Sequence, residues 1–163
     1  MFRARQTRHP IPYDREAAAA AIVALSPPSD VAPLIRGVAG CSPHLAAAML
    51  RERDWLVGVW DAEPEDVLAT LLGDLTRIEG DPGGPLRLTK RRAALLVGLA
   101  ELGGVWSVME AAAAWTRFAD AAVAGDWRDN GANTFGRRRG GMKPETPVRM
   151  LEGDPDKTGG AAG

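Results

Sequence analysis

The stretch "KRRAALLVGLAELGGVWSVMEAAAAWTRFADAAV", Lys90 to Val123, decides the fold. Leu95, Leu96, Leu99 and Leu102, with Leu88 just before it, fall on one side of a helix of period 3.6. Gly103 and Gly104 stop that helix. Ser107 and Glu110 then form an S-x-x-E capping box, in which hydroxyl and carboxylate each satisfy a backbone N–H that the first turn leaves free. The next helix places Val108, Ala112, Trp115, Phe118 and Ala122 at helical spacing and is expected to end near Gly125. Two helices in such close succession, with no β-branched run of period two anywhere, point to an all-α chain.

The same punctuation continues upstream. "YDREAAAAAIVALSPP" offers Asp14 as an N-cap, an alanine-rich helix and a Pro27-Pro28 stop. "SDVAPLIRGVAG" reads as a short helix capped by Asp30, with Pro33 in its first turn and Gly40 as its C′ residue. Ser42-Pro43 opens another helix, whose Leu45, Met49, Leu56 and Val59 share a face. Asp54 is the expected cap of a new turn carrying Trp55 and Trp60. "EPEDVLATLLGDLTRI" starts at Pro64, with Glu63, Glu65 and Asp66 suiting its positive end, and buries Leu68, Leu71, Leu72, Leu75 and Ile78. "GDPGGP", 80–85, is expected to be a loop. Arg87, Lys90, Arg91 and Arg92 after it read as a solvated face.

The architecture expected is therefore an antiparallel, bundle-like helical domain over 13–125. A flexible, solvated basic arm (1–12, "MFRARQTRHPIP") precedes it, and a targeting role for that arm is the lesser alternative. From Asp126 to Gly163 glycine, proline and charge dominate. That segment lacks the apolar groups to offset an ordering cost of about 1–2 kcal/mol per residue, and is expected to be a disordered tail.

Composition narrows the function. The net charge of −1 does not point to nucleic acid or a membrane surface. No apolar run approaches the ~20 residues that cross a bilayer. The single cysteine, Cys41, excludes an internal disulfide and a multi-cysteine metal site, and fits the reducing cytoplasm.

The chemical candidates are few. In "GCSPHLAAAMLRERDWL", 40–56, Cys41, Ser42 and His44 stand together, and the question is whether they are a nucleophile with its base or a helix start. A nucleophile needs a base within hydrogen-bond reach and a third group to orient that base. Ser42 at an N-cap is already engaged by backbone N–H, and the second histidine, His9, lies in the arm. A helix start with a small buried thiol is the favoured reading. Asp154 and Asp156 have the D-x-D spacing of a magnesium pair, but proline separates them and no strand precedes them. "GRRRGG", 136–141, reads as solvated charge rather than a phosphate contact, and Trp55, Trp60, Trp106 and Trp115 as core. No catalytic, cofactor-binding or metal residue is assigned.

"IRGVAGCSPHLAAAMLRERDWL" (35–56) and the opening stretch (90–123) together resemble the N-terminal region of the bifunctional glutamine synthetase adenylyltransferase/adenylyl-removing enzyme in its alphaproteobacterial form. The likeness covers roughly residues 8 to 124. It implies a large enzyme with two nucleotidyltransferase domains. One removes AMP from glutamine synthetase by phosphorolysis, and the other adds AMP from ATP. Magnesium serves both, and the signalling protein PII and glutamine regulate them. The resembling region is the helical lead-in to the first catalytic core. The family's G-S-D-x-D motif follows it, and this chain has no equivalent. No catalytic residue carries over, and the chain reads as a truncated fragment expected to be inactive alone.

"MKPETPVRMLEGDPDKTG", 142–158, resembles the start of small terminase subunits of tailed phages, with Asp154 where that pattern has asparagine and Asp156 where it has glycine. It reads as a junction between reading frames. Two alternatives stand beside the fragment reading: a stand-alone helical protein-interaction module, open to self-association, and a phage-terminase-like DNA-associated protein.

Overall fold

The computed structural model describes residues 1–77 and 83–137, with side chains through residue 124. Among these residues the chain is all helix, with no strand. Seven α-helices follow a 3-10 turn at Arg3–Arg5: α1 (Arg15–Leu25), α2 (Ala32–Cys41), α3 (Pro43–Arg51), α4 (Arg53–Asp61), α5 (Pro64–Thr76), α6 (Gly83–Leu102) and α7 (Val108–Arg137).

Helix α6 organises the bundle. It packs against α5 and α7 on one side and against α2 and α3 on the other, while α1, α2 and α3 pack among themselves. Its leucines explain why: Leu95, Leu96 and Leu99 are fully buried, as are Ala93 and Ala100 on either side of them in sequence. Leu34, Ile35, Val38 and Met49 bring the first group of helices into that core, and Leu68, Leu71 and Leu75 bring α5. At about 25 cal/mol per Å² of apolar surface removed from water, these side chains supply most of the cohesion.

The capping signals act as written. Asp14 accepts from the Ala17 N–H at 2.8 Å, and Ser42 from the Leu45 N–H at 3.2 Å. The box at the start of α7 is closed both ways. The Glu110 N–H donates to Ser107 at 3.3 Å, and the Ser107 N–H donates to the Glu110 carboxylate at 2.7 Å. α1 ends at Ser26 in the left-handed region, before the two prolines. α6 ends at Gly103-Gly104, where Gly104 has φ +68°, a conformation that suits glycine.

Six expectations need correction. The arm is not wholly solvated: Ala4, Thr7, Arg8, His9 and Ile11 are exposed, but Phe2 is fully buried, edge-on to Trp60 at 5.6 Å between centroids, and the Phe2 N–H donates to Ala62 O at 2.7 Å. A large aromatic near a chain end gains more by burial than its short segment loses in entropy. Asp30 does not cap α2. The first free N–H groups go to the Pro28 carbonyl, and Asp30 lies 3.9 Å from Arg3. Gly40 is not the stop of α2, which runs one residue further to Cys41. Asp54 lies inside the first turn of α4, whose N-cap is Glu52. Gly83, Gly84 and Pro85 are helical, opening α6, because a proline in a first turn forfeits no hydrogen bond. Finally α7 does not stop near Gly125 but continues to Arg137. Each interior glycine costs a helix only about 1 kcal/mol, and α7 runs through Gly125, Gly131 and Gly136.

Of the α7 residues at helical spacing, only some face inward. Ala111, Ala114 and Phe118 are buried, whereas Val108 and Trp115 are 63% and 38% exposed and Ala112 is exposed. Alanines let α7 lie close against α5 and α6, and the larger side chains turn outward. Ile78, the first half of the "GDPGGP" loop, Asp154, Asp156 and the terminase-like stretch lie outside the described residues.

Candidate interaction site

Glu52 is a buried carboxylate at the α3–α4 junction, 5% exposed. Arg91 Nε donates to its Oε1 at 2.7 Å and Arg92 Nε to its Oε2 at 2.8 Å. Arg92 also lies over the Trp55 ring, 5.4 Å from its centroid. Burial by itself would push the Glu52 carboxyl up; the hydrogen bonds from Arg92 and Arg91 outweigh it and hold the group below its ordinary value. The basic run that reads as a solvated face is therefore divided: Arg87 and Lys90 are exposed, while Arg91 and Arg92 are half-buried and clamp α6 to the start of α4. Nothing in the local sequence of Arg91 or Arg92 announces a partner forty positions away.

A second cluster lies between the arm, α5 and α7. Arg5 donates to both carboxylate oxygens of Glu65, at 3.0 and 2.8 Å, and to Val105 O at 3.3 Å. The Trp106 indole N–H donates to the same Glu65 at 2.8 Å. Burial tends to raise the Glu65 carboxyl, but Arg5 and Trp106 hold it below the ordinary range, and Glu65 in turn raises the Arg5 guanidinium. Beside this cluster is a half-open cleft of about 180 Å³, with Leu68, Trp106, Ala113 and Ala114 as its apolar lining and Glu65, Glu110 and Arg117 as its polar lining. Each carboxylate there already has a donor, so the cluster fastens elements together rather than presenting a poised acid or base.

The Cys41 group is split by its partners. The Cys41 thiol is exposed, not buried as the sequence reading has it, because Cys41 ends α2 on the outer side, where its Sγ lies 3.2 Å from Ile11 O. Ser42 is occupied by its cap, and His44 and His9 are exposed. Trp60 and Trp106 are core as expected, Trp55 is partly buried, and Trp115 is not core. Among the described residues, no group of three or more His, Cys, Asp or Glu side chains could hold a metal ion.

The feature that asks for a partner is the outer face of α7. Val108, Met109, Trp115 and Val123 are large and exposed there, with Ala112, Ala113 and Ala119 between them. With Ala111, Ala114 and Phe118 on the inner face, apolar residues extend well round α7, and Glu110, Thr116, Arg117 and Asp120 supply its exposed polar positions. No helix among the described residues is long and apolar enough to cross a membrane. Phase decided this face: the sequence shows the apolar residues but not which alanines turn inward.

No family model matches the chain, and no solved structure matches it. Curated proteins do. Bifunctional glutamine synthetase adenylyltransferase/adenylyl-removing enzyme of a Bradyrhizobium strain is 35% identical over 96 residues, covering 55% of this chain and 10% of its own length. The Caulobacter vibrioides enzyme is 32% identical over 91 residues (53% and 9%), and a Rhodopseudomonas palustris enzyme 33% over 95 residues (55% and 10%). The chain thus spans about a tenth of the length of the curated relatives it matches. At that level the resemblance read from the sequence is borne out: over half of this chain is similar to a partial region of the alphaproteobacterial glutamine synthetase adenylyltransferase/adenylyl-removing enzymes.

Proposed function

We propose that this chain is the N-terminal, non-catalytic helical part of an enzyme of that kind, a fragment without the catalytic core, acting in the cytoplasm on the regulation of glutamine synthetase. The observation that carries the reading is the similarity over 55% of the chain to enzymes about ten times as long as the matched region. In such an enzyme a helical part must lie against further polypeptide, and the outer face of α7 has the apolar character that contact requires. Glutamine synthetase is then the target of the assembled enzyme, with PII as its regulator by resemblance. By itself the chain neither adds nor removes AMP.

The test has two arms. The purified chain is incubated with adenylylated glutamine synthetase, phosphate and magnesium, where no ADP is expected; release above a no-enzyme control overturns the inactive reading. Then the Caulobacter vibrioides enzyme, deleted for the segment similar to this chain, is supplied in trans. Binding through α7 is expected, and a failure to bind overturns the fragment reading.

The exposed α7 face also favours a second reading, a stand-alone module that associates with itself. Concentration-dependent sedimentation without binding to the deleted enzyme would select it.

A further inference from the structure

We draw no further inference here: the strongest candidate, the half-open cleft of about 180 Å³ between the start of α5 and α7, belongs to the site already described, where Arg5, Trp106 and Ser107 already engage Glu65 and Glu110, and nothing in the structure shows what covers it.

Discussion

Glu52 and Arg92 are forty positions apart and joined at 2.8 Å, with Arg91 completing the clamp at 2.7 Å on the other carboxylate oxygen. The two sides of this contact are unequal. Glu52 is 5% exposed, whereas the Arg91 and Arg92 side chains keep 33% and 29% of their surface. Removing the acid leaves cations that reach water, and Glu52→Ala should cost about 1–2 kcal/mol. Removing both bases strands a buried carboxylate, and Arg91→Ala with Arg92→Ala should cost about 3–5 kcal/mol. Urea unfolding of the two variants checks the order. An equal or reversed cost would mean that Glu52 is better hydrated than its burial indicates.

The same clamp sets an acid limit. The Glu52 carboxyl is held below its ordinary value of 4.5 by Arg92 and Arg91 against the opposing effect of burial. A group whose pKa is lower folded than unfolded contributes stability that is complete above the unfolded value and is lost as pH falls through the folded one. Unfolding free energy should therefore vary little from Glu52 between pH 7 and about 5 and decline below that. In Glu52→Gln the curve should start lower at pH 7 and fall less steeply below about pH 5, so that the two proteins converge in acid. Parallel curves over that range would remove Glu52 from the account.

Legibility followed the range of the interaction. The caps at Asp14, Ser42 and Ser107 are settled within three or four residues, and the leucines of α5 and α6 declare their own face, so these could be read directly. Asp30 and Asp54 carry the right side chain for a cap, but the neighbouring Pro28 carbonyl and the helical continuation through Glu52 took those positions. Phe2, Glu52 and Arg91 answer to residues thirty to sixty positions off, and no local pattern reveals that. In α7 apolar residues occur on the exposed side as well as the buried one, and the phase falls to the close approach that alanine allows rather than to the size of Trp115.

Two glycines separate local preference from tertiary fit. Gly37 lies on α2 where residue 10 crosses, and a Cβ there would stand 2.1 Å from the Pro10 carbonyl oxygen. Gly58 lies in α4 with open space around it. Alanine is the better helix former by about 0.5–1 kcal/mol, so Gly58→Ala should stabilise by that amount. Gly37→Ala gains the same local term but must push away a backbone, and should destabilise by about 1–3 kcal/mol. Thermal melts of the pair test this. A stabilised Gly37→Ala would show that the segment around Pro10 is not seated on α2.

Adjacent alanines on α7 test which face is covered and by what. Ala111 is 3% exposed and Ala112 is exposed, so leucine at 111 should overpack the bundle at a cost of about 1–3 kcal/mol. Leucine at 112 should change stability by no more than about 0.5 kcal/mol. On the outer face, Met109 and Val123 are 77% and 69% exposed and lie four turns of helix apart at most, with Ala112, Thr116 and Ala119 between them. Glutamates at both positions meet only solvent in the isolated chain, so Met109→Glu with Val123→Glu should melt within a few degrees of the unaltered protein. If this face docks on further polypeptide, burying two unpaired carboxylates there is prohibitive, and the double variant should lose binding to the deleted Caulobacter vibrioides enzyme. Sedimentation at rising concentration reads self-association of the same pair of proteins. A double variant that binds and associates like the unaltered chain would move the docking surface off α7.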